Sequence, residues 1–481
     1  FSFLSSLAGF VVLLTRRSAL RGLCSAPQTL ASRTALLFPV CLLPARHIGP
    51  TLVACYDNAA LRVEPASPLA AQEPSSATPY IHAGRLWADP ASGRVETNKT
   101  IVVEAGKIAD IRDGFVGEGK IVDLRDQFVM PGLIDSHVHL TFESSPTSRL
   151  DAVTKSTTDQ AFDGVVFAKR TARAGFTAVV DLGSEPEAIN ALRDAIASGK
   201  VVGPRIIAAG GVAAHGGHGD IHGYRQEILD LFRAPTLCSG ADDCARAVRL
   251  AVQQGADVIK TASTGGVMSN TAAGLGQQMS DAELTAIVDT AHRLGRKVAA
   301  HAHGTDGVNA ALRAGVDSVE HGTYLDDESI RLLKAKGSYL VPTLLAGDTV
   351  ARQAETAEWM PDAVRAKART VGPLMVDALR RAHRGGVRIA FGTDSAVSVH
   401  GENAREFALM VKAGLTPLDA IRSATVWGAA HTGLEKEVGT LAAGKAADIV
   451  AVKGDPLADV TALETMGFVM ARGVVVRAVG D

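Results

Sequence analysis

The chain has 481 residues, of which 47% are hydrophobic, enough to fill a barrel of about 250 residues with additions at either end. Its formal net charge is −2, with 49 basic against 51 acidic residues and no basic block. That balance excludes a protein that tracks a phosphate backbone, so no nucleic-acid partner is expected.

Along residues 1–78, no acidic residue occurs before Asp57 and lysine is absent. Apolar runs at Phe1–Leu14 and Thr34–Ala45, the second broken by Pro39 and Pro44, fall short of the ~18 apolar residues that argue for a membrane span. From Glu64 the stretch EPASPLAAQEPSSATP reads as a linker. Residues 1–78 are thus expected to be a leader and linker, disordered or processed. An export signal is the sharper reading, since LVAC at Leu52–Cys55 is similar to a bacterial lipoprotein cleavage box. Export would make the protein periplasmic or secreted; otherwise the chain is cytoplasmic. Three of the five cysteines, Cys24, Cys41 and Cys55, lie in this leader. Cys238 and Cys244 would pair in an exported protein and stay thiols in a cytosolic one.

Residues 79–128 show short alternating strands separated by turn residues, and residues 437–481 have the same character. The two ends together predict a small β-sandwich domain. Residues 129–436 instead alternate short apolar runs with amphipathic segments, the rhythm of βα units. The expected strands are VMPGLIDSHVH from Val129, FTAVVDLG from Phe176, PRIIAAG from Pro204 and ADVIKT from Ala256. KVAAHAHG from Lys297, DSVEHG from Asp317, SYLVPTL from Ser338 and RIAFGTD from Arg388 complete the set. Ser280, with Asp281 and Glu283 behind it, predicts a helix start. Eight consecutive units predict an α/β fold, a (β/α)8 TIM barrel, and no GxGxxG favours an open doubly wound sheet.

Active groups of such a barrel gather where the strands end. The first strand ends in His137 and His139, the fourth in Lys260, the fifth in His301 and His303, the sixth in His321 and the eighth in Asp394. Period-two alternation puts His137 and His139 on one face, and His301 and His303 on another. A lone strand-end histidine usually satisfies a hydrogen bond, a lone lysine reaches solvent and a lone GTD caps a turn. Buried together without compensation, they would cost several kcal/mol. A divalent ion, zinc above all, supplies that compensation through imidazole nitrogen and carboxylate oxygen. Lys260 does not fit beside a cation as an ammonium. Desolvation lowers its pKa, and carbon dioxide could convert the neutral amine to an anionic carbamate.

HxH in PGLIDSHVH, the lysine of DVIKTASTGGVMS, the histidines of VAAHAHG and VEHGTYLD and the aspartate of FGTDSA together resemble the amidohydrolase superfamily. Within it the chain is similar to the imidazolonepropionase-related, prolidase-like carboxypeptidases, a branch that includes ochratoxin A-hydrolysing enzymes. The resemblance runs from about residue 81 to the C-terminus, including GKAADIVAVKGDPLADV. It implies that His137 and His139 bind one metal, that His301 and His321 bind a second, and that carboxylated Lys260 bridges two ions, most simply Zn2+. Asp394 would be a ligand of the first metal and the general acid/base. His303 matches a position that varies among relatives and is expected in the pocket, donating to the developing oxyanion. Alternation alone does not separate it from His301. A GGHG shared with relatives implies a substrate contact for His218, with His215 and His222 less favoured. Gly265 and Gly266 would line the same pocket.

The implied reaction is metal-dependent hydrolysis of an amide that joins an acyl group to a C-terminal amino acid, as in dipeptides, N-acyl amino acids or ochratoxin A. Opening of a cyclic amide, as by imidazolonepropionase, is the second expectation. A non-catalytic barrel scaffold is the third, disfavoured because every expected position is filled. The branch also implies a homo-oligomer.

Overall fold

In the computed structural model, which describes residues 79–269 and 274–481, the terminal segments build one sheet. Its first strands are β1 (Pro79–Leu86), β2 (Glu96–Glu104), β3 (Lys107–Asp113) and β4 (Lys120–Pro131). The expected leader over residues 1–78 lies outside the described residues. The barrel-type strands follow as β5 (Leu133–Val138), β6 (Phe176–Asp181), β7 (Arg205–Ala214), β8 (Leu237–Cys238) and β9 (Val258–Ala262). They continue with β10 (Lys297–Ala302), β11 (Ser318–His321), β12 (Tyr339–Val341) and β13 (Arg388–Ile389). The chain then returns to the first sheet with β14 (Ile449–Val452), β15 (Met466–Ala471) and β16 (Val474–Arg477).

The terminal sheet has the order β16-β15-β14-β4-β1-β2-β3. Its central seam pairs β4 with β14, Pro131 opposite Ile449 and Phe128 opposite Val452. All seven strands fall in one hydrogen-bonded order, so the two-layered sandwich expected from the sequence is not established. A buried cluster including Ile81, Ile101, Leu124, Ile449 and Phe468 makes it a core of its own. The strand expected over Val129–His139 divides in two: Val129–Pro131 stays with the terminal sheet, and the second sheet begins at Leu133.

That second sheet is parallel and curled, in the order β13-β12-β11-β10-β9-β7-β6-β5, with β8 paired to β7. Its edges approach closely enough to share backbone bonds. Ser136 N–H donates to Phe391 O at 2.8 Å, Asp394 N–H to His137 O at 2.7 Å, and His139 N–H to Ser395 O at 2.8 Å. Phe176 and Phe391, both fully buried, stack at 5.3 Å next to this seam. Burying each such ring contributes roughly 1.5–3 kcal/mol.

The intervening helices follow local rules. Ser280 caps Asp281–Arg293 through a reciprocal box with Glu283, as its sequence predicts. Helices Thr305–Ala314 and Asp327–Lys336 stop at left-handed Gly315 and Gly337. Cys238 is bonded to Cys244. Among the described residues, no helix is long and apolar enough to cross a membrane.

Candidate active site

Because parallel strands deliver their ends to one rim, side chains far apart in sequence meet there. The His137 and His139 rings lie 5.4 Å apart between centroids, His137 and His321 5.3 Å, and His301 and His321 4.6 Å. Asp394 places Oδ1 3.0 Å from His139 Nε2 and 3.5 Å from His137 Nε2. Lys260 Nζ sits 3.4 Å from His137 Nε2. The six residues expected as metal ligands are therefore brought together.

The rings are fixed from behind by groups the sequence reading did not single out. His137 Nδ1 lies 2.8 Å from Glu320 Oε2, and Glu320 is completely buried, also accepting from Ser318 Oγ at 2.6 Å. The Thr343 hydroxyl donates to Pro342 O, so His321 Nδ1 donates to Thr343 Oγ1 at 2.7 Å. Both arrangements leave Nε2 with a free lone pair facing the rim. Asp135, also fully buried, accepts from Thr393 Oγ1 at 2.7 Å and Asn403 Nδ2 at 2.8 Å, tying the first strand to the Asp394 turn. A signal for Glu320 existed, an acid directly before the strand-end His321; for Thr343 there was none.

Three residues near the rim, His321, Thr343 and Asp394, have φ of 71°, 50° and 57°. Left-handed backbone costs a non-glycine residue of order 1–3 kcal/mol and persists only where surrounding contacts impose it. Here the helix after Thr343 and the Asp394 N–H bond to His137 O impose it.

Burial sets the charge states. His137, His301 and His321 are pushed well below the ordinary imidazole range, first by desolvation, then by the Lys260 charge or neighbouring rings. His303 is lowered to about 3 and His218 to about 4 for the same leading reason. Lys260 is also lowered by desolvation, which Glu320 and Asp394 partly oppose. Burial raises Asp394, yet His137, His139 and Lys260 overcome it and hold the carboxyl at about 2. Burial thus favours the neutral form of His137, His301, His303 and His321 around one carboxylate.

His303 joins this ring more closely than expected of a pocket residue. It stacks on His321 at 4.9 Å, with Nδ1 2.7 Å from Thr323 Oγ1. His301 instead points Nε2 at Gly265 O, 3.2 Å away. His218 packs 4.0 Å from the His301 ring and hydrogen-bonds Ser269 through Nδ1, whereas exposed His215 faces Ser239. Gly265 and Gly266 have a packing reason to lack a side chain. A Cβ would lie 1.8 Å from Gly274 O in the first case and 2.5 Å from the His218 ring in the second.

Among the described residues, two trios bring their ligand atoms within 4.8 Å of one another, His301/His303/His321 and His137/His321/Asp394. Neutral imidazole nitrogens with one carboxylate oxygen suit a borderline divalent ion.

Residues 128–476 match the Amidohydrolase family. An Aspergillus niger protein named Ochratoxinase is 31% identical over 454 residues, spanning 89% of this chain and 92% of that protein. The crystal structure of a Xaa-Pro dipeptidase with bound methionine in its active site aligns with a TM-score of 0.79 at 40% identity, covering 83% of this chain and 99% of that one. A prolidase complexed with N-methylphosphonate-L-proline aligns with a TM-score of 0.76 at 30% identity, covering 83% and 100%.

Proposed function

Because the chain belongs to the amidohydrolase family, we propose that this rim is a metal-dependent hydrolytic site for amides whose leaving group is an amino acid. The observation that carries the reading is the convergence of His137, His139, His301, His321, Lys260 and Asp394, with His137 and His321 fixed from behind through Nδ1. We read the curled sheet as a complete (β/α)8 barrel over residues 129–436, with residues 79–128 and 437–481 as its small companion domain.

His137, His139 and Asp394 would hold one divalent ion, and His301 and His321 a second, with Lys260 as a carbamate between them. Zinc pairs of this kind act as Lewis acids and lower the pKa of water. The rest falls to the protein. Asp394, ionised across the working pH range, takes the proton of the attacking water and hands it to the departing amine. With the Thr323 hydroxyl donating to its Nδ1, His303 would turn an Nε2 proton toward the carbonyl oxygen as charge builds there. Similarity to an ochratoxinase and to prolidases favours N-acyl amino acids, dipeptides and ochratoxin A as substrates.

The test combines metal analysis with product identification. Chelated protein is expected to lose activity and regain it with zinc, and the metal-loaded chain to release a free amino acid from ochratoxin A or N-acyl amino acids. A ring-opened product without a second fragment would move the assignment to cyclic amides. Inertness of metal-loaded protein across an amide panel would remove it.

Glu320 supplies a second check. Glu320→Gln removes the charge behind His137 while keeping its shape, and should weaken metal retention by about tenfold or more in a chelator competition. Unchanged retention would mean that His137 is not a ligand.

A further inference from the structure

Substrates of the proposed class carry a carboxylate on the leaving group, and the rim trios offer that anion only neutral rings and another carboxylate. One cation stands close by. Lys367, half-buried on the helix Asp362–Arg384, donates through Nζ to Gly266 O at 2.9 Å and to Ser269 O at 2.5 Å. An ammonium has three N–H donors, and the third has no partner among the described residues.

Its position is tied to the rim by contacts on both accepting residues. Gly266 lies flush against the His218 ring, and Ser269 Oγ holds His218 Nδ1 at 2.9 Å. His218 in turn packs on His301 at 4.0 Å. Lys367 and Lys260 are the two lysines whose charge acts on buried His303. Arg149, a cation on the short helix Ser148–Thr154, is already committed to Gly223 O and to the face of the Tyr224 ring.

Resting on the hydrolase reading above, we infer that Lys367 anchors the carboxylate of the leaving amino acid, donating its third N–H to that anion while the other two clamp the Gly266–Ser269 turn against His218. Two backbone carbonyls hold the ammonium in place before substrate arrives, so little side-chain entropy is lost on binding. They do not neutralise it, so its full charge is available to the anion. The site would select acids over their uncharged amides and esters at that position.

The experiment compares N-acyl-phenylalanine with its C-terminal carboxamide on the metal-loaded full chain, in the natural protein, Lys367→Met and Lys367→Arg. The natural protein is expected to favour the acid, and Lys367→Met to raise KM for the acid by about 10- to 100-fold, the worth of one charge-assisted hydrogen bond. The carboxamide should lose far less than the acid, and Lys367→Arg should restore most of the preference. Equal losses on both compounds would reduce Lys367 to a loop clamp and overturn the anchor, as would a natural protein indifferent to the carboxylate. If neither compound is cleaved, the hydrolase reading fails separately. Calorimetric binding of the same acid and carboxamide then decides the anchor: acid-selective binding that Lys367→Met abolishes supports it, and binding without selectivity overturns it.

Discussion

Lysine 260 replaced by alanine is expected to lose bound metal and at least about a hundredfold in activity, the upper range for removing even an outer-shell partner of a metal ligand. Lys260→Glu should retain metal. The physical reason is that an ammonium at this place is a contradiction. Its nitrogen is 3.4 Å from His137 Nε2, among imidazoles that burial keeps neutral. Desolvation drives its pKa down, and Glu320 and Asp394 compensate only in part. An amine so placed spends more of its time unprotonated, the state that would capture carbon dioxide, and the proposed carbamate would bring negative charge beside the neutral rings. Glutamate offers two oxygens at a similar reach; alanine offers none. Native mass spectrometry should show an increment of one carbon dioxide in the natural protein and none in either variant. Full metal content in Lys260→Ala would show that the lysine serves packing alone.

The second large effect is expected at Asp394. Asp394→Asn should lower kcat by about 10²–10⁴-fold, the span associated with losing a positioned general acid/base, while the circular dichroism spectrum stays that of the natural protein. The substitution keeps the shape and the backbone bond to His137 O but removes the charge that faces His137, His139 and Lys260. Asn also tolerates left-handed backbone as well as Asp does, so the φ of 57° adds no new strain. A variant that keeps most of its kcat would assign the proton transfer to another group, and His303 would be the next to test.

Much of this site could be read from the chain because βα repetition turns strand ends into neighbours. His137 and His139 declared a shared face by alternation, and Lys260, His321 and Asp394 each stood at the end of an expected strand. What could not be read is set by contacts between distant segments. Both His301 and His303 face inward, and only the Gly265 carbonyl and the Thr323 hydroxyl distinguish their rings. The role of Glu320 depends on His137, 183 residues away in sequence, which only the fold brings beside it. The passage from one sheet to the other at Gly132 did carry a signal, the Pro131-Gly132 pair, but it lies between apolar residues of like character, so the stretch reads as one strand. At Gly265 and Gly266, expected to line a pocket, the chain also passes too close to Gly274 and His218 for a Cβ.

The seam between β4 and β14 has a temporal consequence. About 300 residues separate the paired strands, so a ribosome adding roughly 5–20 residues per second needs some 15–60 s to deliver the partner. For that interval the N-terminal hairpins present a bare, apolar edge while the barrel is still emerging. Such an edge recruits any other extended chain that passes. Newborn copies on one messenger would therefore be prone to pairing with each other, and yield in a cell would depend on chaperone supply more steeply than the finished protein's stability suggests.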